Sequence, residues 1–169
     1  MKKNRNIIIF LMIIGVLTTI GVAFSLEVHI QRYQGSTFTV DYDSTWKVVD
    51  KKDKLILEHK ISDSILSIQS KRLERNFIDI SLKDIISDIV YSIEEQNENY
   101  VLINMKSNTS DKYEAYSYLY ENKTDQVLVK ILKKDAVLII AYYESNSEYY
   151  DIVLDSVDTI LDSVEILLK

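Results

Sequence analysis

Residues 35–46 read GSTFTVDYDSTW. Phe38, Val40 and Tyr42 alternate with Thr37, Thr39 and Asp41, the period of a strand with one face turned to a core. DST breaks the run, and Trp46 opens a second apolar stretch, WKVVD. Of the three glycines, Gly15 and Gly21 lie in an apolar N-terminal run, so Gly35 is the only one in the polar part of the chain. Trp46 is the only tryptophan. One glycine and one tryptophan bracketing a strand mark a corner that needs both a special backbone and a large ring.

Downstream, KDK leads into KLILEH and KISD into SILSIQSK, which reads as a meander of short antiparallel strands. The period then changes. In DISLKDIISDIVYSIEEQN the apolar residues Leu82, Ile85, Ile86, Ile89, Val90 and Ile93 share one helical face. Ser81 and Asp84 stand at capping-box spacing, and the helix is expected to stop near Asn97. Strands return in YVLINMKS, KYEAYSYLYE, QVLVKILKK and AVLIIAYY, joined by NTSD, NKTD and KKD. The last strand is apolar almost throughout, as a central strand covered on both faces would be. A closing helix follows, with Ser145 and Glu148 placed as its capping box. Its apolar stripe is Tyr150, Val153, Leu154, Val157, Ile160, Leu161 and Val164. Strands, helix, strands, helix, without strand–helix alternation, is an α+β order: an antiparallel sheet of about six to eight strands with two main helices packed on it.

Before all this lies IIIFLMIIGVLTTIGVAFSL, residues 7–26, without a charge, behind Lys2, Lys3 and Arg5. A helix of this length spans roughly 30 Å, the hydrocarbon thickness of a bilayer. The basic flank predicts a cytoplasmic N-terminus with the rest of the chain outside, on a single-pass anchor in the cell membrane. The length favours an uncleaved anchor. The other reading is a signal peptide cut near Ser25, at Ala23-Phe24-Ser25, which leaves a secreted domain. The expected division is a membrane segment at 1–26, a linker or edge strand at 27–34, and an extracytoplasmic domain at 35–169.

The net charge is −6, yet residues 1–25 contain three of the 20 basic residues and none of the 26 acidic ones. The domain is thus more acidic than the whole, which argues against binding nucleic acid. Absence of cysteine removes thiolate metal sites, disulfides, cysteine catalysis and lipidation. With no proline and almost no glycine, tight turns fall to Asn, Asp and Ser.

A turn glycine, then Phe38-x-Val40-x-Tyr42, a polar turn and Trp46 resembles the start of a PsbP-like domain, the family of an extrinsic photosystem II subunit. The likeness runs over residues 33–168 and takes in the mid-chain helix, the YEAYSY strand and the closing DSVEIL. The family usually has proline after the aromatic that precedes the turn; this chain has Asp43. What the resemblance implies is an α/β/α sandwich around an antiparallel sheet, in a diverse and mostly non-catalytic family. That family includes photosystem accessory subunits, a nuclear factor binding a small GTPase, and bacterial envelope proteins. It further implies structural roles for Gly35, by positive φ or close backbone approach, for Phe38, and for Trp46 at the end of the sheet.

Chemistry has few candidates. His29 and His59 are the only histidines and have no partner at metal-ligand spacing. There is no G-x-S-x-G elbow and no glycine for a phosphate loop. The expectation is therefore no enzyme, no cofactor and no metal. Asp151, Asp155, Asp158 and Asp162 form an acidic stripe on the closing helix, suited to a basic partner surface or a divalent ion, or simply a solvated face. Tyr116, Tyr118 and Tyr120 share one strand face, with Tyr113, Tyr142 and Tyr143 on that strand and an expected neighbour. They supply either a binding surface or cover for the sheet. Two functions follow. One is a membrane-anchored scaffold that binds an envelope protein. The other is a ligand or divalent-ion sensor using Tyr and acidic residues.

Overall fold

Alternation becomes strands wherever one face has a core to meet. The computed structural model describes residues 29–50, 54–96, 99–109 and 112–167. The apolar segment 7–26, the basic residues before it, the cleavage site near Ser25, the expected helix stop at Asn97, and parts of the KDK and NTSD turns lie outside these residues. Strands β1 (Gln31–Gln34), β2 (Phe38–Tyr42), β3 (Trp46–Asp50), β4 (Leu55–His59) and β5 (Ile65–Arg72) come first. A 3-10 turn (Arg75–Phe77) leads to helix α1 (Leu82–Gln96). Next come β6 (Val101–Thr109), β7 (Glu114–Glu121), β8 (Asp125–Lys134) and β9 (Val137–Asn146), then helix α2 (Ser147–Asp162) and a short β10 (Glu165–Ile166).

Seven strands pair antiparallel in the order β3-β4-β5-β9-β8-β7-β6. β9, the most apolar strand, occupies the centre. Its odd-numbered residues Ile139, Ala141 and Tyr143 face α2, whose Val153, Val157 and Ile160 bury against them. Its even-numbered Leu138, Ile140 and Tyr142 face α1, beneath Leu82, Ile85 and Ile86. The two helices therefore lie on opposite faces, as a sandwich requires. Full burial of side chains such as Leu57, Leu66, Ile68 and Ile139 stabilises each layer by about 1.5–3 kcal/mol apiece.

Three expectations need correction. The meander does not run through one sheet: β1, β2 and β10 form a separate three-stranded sheet in the order β1-β2-β10. The chain changes sheet at Asp43. The closing helix ends at Asp162, before Val164, and the tail returns as β10 beside β2. Ser163 fixes this return, its Oγ accepting from the Asp41 amide at 2.8 Å. Finally, the cap of α2 is Asn146, whose side chain accepts from the Glu148 amide, and not Ser145. Ser145 faces inward on β9 and bonds Ser64 Oγ at 2.7 Å.

The corner around β2 explains Gly35 and Trp46. A Cβ on Gly35 would lie 3.0 Å from the Tyr33 ring and 3.3 Å from the Phe38 carbonyl oxygen, so the close approach crowds any side chain there and would make the Tyr33 ring shift. Its φ is not positive; that conformation falls to Asp63 and Asp135 in the turns after β4 and β8. Asp43 builds the turn in which the family has proline: its Oδ1 accepts from the Thr45 amide at 2.7 Å. Trp46 is buried on edge strand β3, its Nε1 donating to Ser156 of α2 at 2.9 Å. Ser156 in turn donates to Asp43 Oδ2 at 3.3 Å, and the indole meets the His59 ring edge-on.

Candidate functional site

The acidic stripe lies on the surface. Asp151, Asp155, Asp158 and Asp162 are all exposed on α2. Asp162 pairs with Lys130 at 3.2 Å. Among the described residues no group of three or more His, Asp or Glu is placed to hold a metal ion. Asp151 and Asp158 instead flank a shallow groove of about 450 Å³ between α2 and β6–β8, shared with Lys106 and Lys130.

The tyrosines turn inward. Tyr116, Tyr118 and Tyr120 stack along β7, with ring centroids 6.5 and 6.4 Å apart. Tyr118 and Tyr120 are only 5% and 4% exposed, buried in the layer under α1. The expected contiguity with Tyr142 and Tyr143 fails because β8 lies between β7 and β9. Burial, reinforced by Glu94, pushes the Tyr120 hydroxyl up, and that hydroxyl donates to Glu94 at 3.3 Å. These rings cover the sheet.

His59 is tied into a chain of hydroxyls. Its Nδ1 lies 2.8 Å from Ser62 Oγ, and Ser62, Ser64 and Ser145 continue at 2.7 Å steps. The three serines are buried, so a substrate has no approach to Ser62, and the chain pins the β4–β5 turn to β9. Burial pushes the imidazole below its ordinary value, against the opposing pull of Asp43.

The main concavity comes from the offset of α1. The helix packs over β7, β8 and β9 and leaves the β4–β5 side of the same face open. The result is a groove of about 780 Å³, within the usual size range of small-molecule sites, about 300–1,000 Å³. Ile56, Ile65 and Ile140 contribute its floor, and Ile85, Ile89 and Ile93 its helical wall. Leu73 and Phe77 close one end, where the chain leaves β5 for α1. Tyr142 stands toward the other, opposite Ser67 of β5 and two residues short of the strand's start at Ile65. Burial and the nearby Glu144 carboxylate push the Tyr142 hydroxyl up to about 12, so it stays neutral at physiological pH.

Charge is unevenly placed along this groove. Register sets Leu55 opposite Ile68 and Lys71 opposite Leu138. Lys54 and Lys71 therefore point to the α1 face from neighbouring strands, at the end where Arg72 also lies. Glu74 and Asp88 are the acidic lining residues. Among the described residues, no ion pair engages Lys54, Lys71 or Arg72. In a chain of net −6, this is a net basic concavity.

Sequence reasoning did not reach the groove. Ile56, Ile65, Lys54 and Lys71 are visible as alternating strand residues, but that their face stays open depends on the lateral position of α1. Glu114 was missed as well: its Oε2 accepts from the Leu82 amide at 2.6 Å and caps α1 from the start of β7.

No family model and no curated protein matches the sequence. Solved structures do. The solution structure of the cyanobacterial PsbP (CyanoP) of Synechocystis sp. PCC 6803 matches with a TM-score of 0.65 at 18% identity, covering 85% of this chain and 96% of that one. LpqN of Mycobacterium tuberculosis, described as involved in cell envelope biogenesis, matches with a TM-score of 0.57 at 8% identity, covering 84% and 92%. A Pseudomonas aeruginosa protein of unknown function matches with a TM-score of 0.54 at 11% identity, covering 83% and 97%. At these identities the likeness is one of fold: the domain is α+β and PsbP-like.

Proposed function

We propose that this chain is a membrane-tethered, extracytoplasmic binding domain without catalytic chemistry, and that it holds its ligand in the groove between α1 and β4–β5. The observation that carries this is the groove itself: a concave apolar floor of Ile56, Ile65 and Ile140, with cationic side chains converging at one end. Support for the tether is the uncharged run at 7–26 behind basic residues. An envelope setting agrees with LpqN, which shares the fold and is involved in cell envelope biogenesis. Of the two functions posed by the sequence, the ligand-binding one gains, with a different site: Tyr118 and Tyr120 are buried, and the acidic stripe faces water.

The chain has no cysteine, so single introduced thiols report on single positions. Lys123→Cys, in the exposed β7–β8 turn, should react with a membrane-impermeant maleimide on intact cells. Reaction only after permeabilisation would sink the extracytoplasmic placement. Ser67→Cys, on the groove floor, should react slowly in cells and faster once the protein is purified away from small molecules. Equal rates in both settings would sink the binding role.

A further inference from the structure

We infer that the groove takes a single-chain acidic amphiphile, a carboxylate or phosphate head carrying one alkyl chain, with the head at Lys54, Lys71 and Arg72 and the chain along the isoleucine floor toward Tyr142. This rests on the reading of the groove as a binding site and gives that site its ligand class.

The first argument is charge complementarity along one axis. Lys54 and Lys71 project from adjacent strands on the same face, and Arg72 follows at the same end. From that end the floor runs through Ile56 and Ile140 to Ile65. The six residue steps from Lys71 to Ile65 span roughly 20 Å of strand, which is long and narrow, not compact. α1 runs the same way. Glu114, paired with Lys133, holds its N-terminus at the basic end, and Glu94 near its C-terminus bonds Tyr120 at the other.

The second argument is the poverty of backbone partners. Floor and wall are side chains of paired strands and of a helix whose amides and carbonyls are already bonded internally. An extended peptide laid here would leave its own amides unmatched over isoleucines, at a substantial cost per group. An alkyl chain has none to match. Of the polar floor groups, Gln69 is the next residue of β5 facing α1 after Lys71, where a head and its water can use it, and Ser67, opposite Ile56 and Tyr142, is a small group beside the chain.

The experiment uses the full-length chain in phosphatidylcholine nanodiscs, with two photoactivatable probes of equal chain length, a fatty acid and the matching fatty alcohol. Crosslinks are mapped by mass spectrometry. The acid should label peptides containing Ile56, Ile89 and Ile140. Lys54→Glu with Lys71→Glu should lower acid labelling at least about tenfold, the scale of a lost charge-assisted contact, and leave alcohol labelling unchanged. Lengthening the chain should raise affinity about fourfold per methylene until the groove is full. Equal labelling by acid and alcohol, unmoved by the charge reversal, would overturn the head assignment and leave groove binding intact. Labelling no stronger than in an Ile89→Trp variant, which fills the groove, would overturn both. So would a polypeptide crosslinked to the groove residues in place of the acid.

Discussion

Glu114 is the residue on which the wall of the groove depends, and its removal can be worked through. Ser81 has the expected cap position, but its hydroxyl donates to Asp84 Oδ2 at 2.7 Å and so is turned away from the first-turn amides. The Leu82 amide is instead met by Glu114 Oε2 at 2.6 Å, from a strand start 32 residues away. Glu114→Ala removes that acceptor, which for a helix cap costs about 1 kcal/mol, within a range of about 0.5–2. It also removes a negative charge from the positive end of the dipole, about 0.3–1 kcal/mol before screening. Glu114 is half-buried, so part of the second contribution is lost to water. The expected destabilisation is about 1–2 kcal/mol for alanine and about 0.3–1 kcal/mol for Glu114→Gln, which keeps an acceptor oxygen. With urea slopes of about 1–3 kcal/mol per molar, the alanine midpoint should fall by about 0.5–1 M. Hydrogen exchange supplies the local readout: the Leu82 amide should lose protection while amides of α2 keep theirs. Because Ile85 stands one turn along α1 and lines the groove, probe occupancy should fall too, although no groove charge has been touched. An unchanged Leu82 protection factor in Glu114→Ala, or a glutamine variant as unstable as the alanine one, would refute the reasoning.

Ser156→Ala should cost about 1–3 kcal/mol by orphaning the buried Trp46 indole N–H. In a double-mutant cycle read by circular dichroism, Trp46→Phe with Ser156→Ala should fall well short of additive; additivity would show that the bond contributes nothing. His59 sets an acid limb. Its folded pKa lies below the unfolded value near 6.5, so its contribution is present above pH 6.5 and is lost as pH falls through the folded pKa. His59→Gln should flatten the fall of the denaturation midpoint below neutrality, and parallel profiles would remove His59 from the account. Tyr100 and Tyr142, both pushed up to about 12, hold an alkaline limb: stability present below pH 10 should drain away between 10 and 12 as phenolate absorbance rises. Asp151→Asn, Asp155→Asn and Asp158→Asn, being exposed, should each shift stability by no more than about 0.5 kcal/mol, and a larger loss for any one would reveal a bond its exposure conceals.

The two helices and the paired strands were legible because their periods are local. Leu82 to Ile93 could only make one face as a helix, and AVLIIAYY could only be covered on both sides at a sheet centre. Other features turned on position across the sheet, which one strand does not encode. VLINM is the strand its sequence predicts, but it forms β6 at the edge of the sheet, and Val101, Ile103 and Met105 are 63%, 50% and 56% exposed. The switch of sheets at Asp43 and the two-residue β10 depend on pairing across more than a hundred residues. The cap of α2 was within reach. Ser145 and Asn146 are both good cap residues, but alternation from Tyr143 puts Ser145 inward and leaves Asn146 free to cap.

The difference between the two faces of the sheet bears most directly on function. On one side, α2 lies across β9 and its neighbours, and the small sheet adds Phe38, Val40 and Tyr42 to the same core, so the layer closes. On the other, α1 is drawn toward β7 and β8 by the stacked tyrosines and by the Glu114 cap. Folding alone would favour polar side chains on the strands left uncovered, because exposed apolar area forfeits about 25 cal/mol for each Å² not buried. Instead Ile56 and Ile65 stand there, Ile65 42% exposed, with Phe77 at 37% beside them. Lys54, Lys71 and Arg72 gather at one end, although the chain as a whole has an excess of acids. Lys54, Ser67, Gln69 and Lys71 meet that expectation on the same open face, and the isoleucines do not. The proposed ligand, with a long apolar body and an acidic head, accounts for the isoleucines and uses the cations.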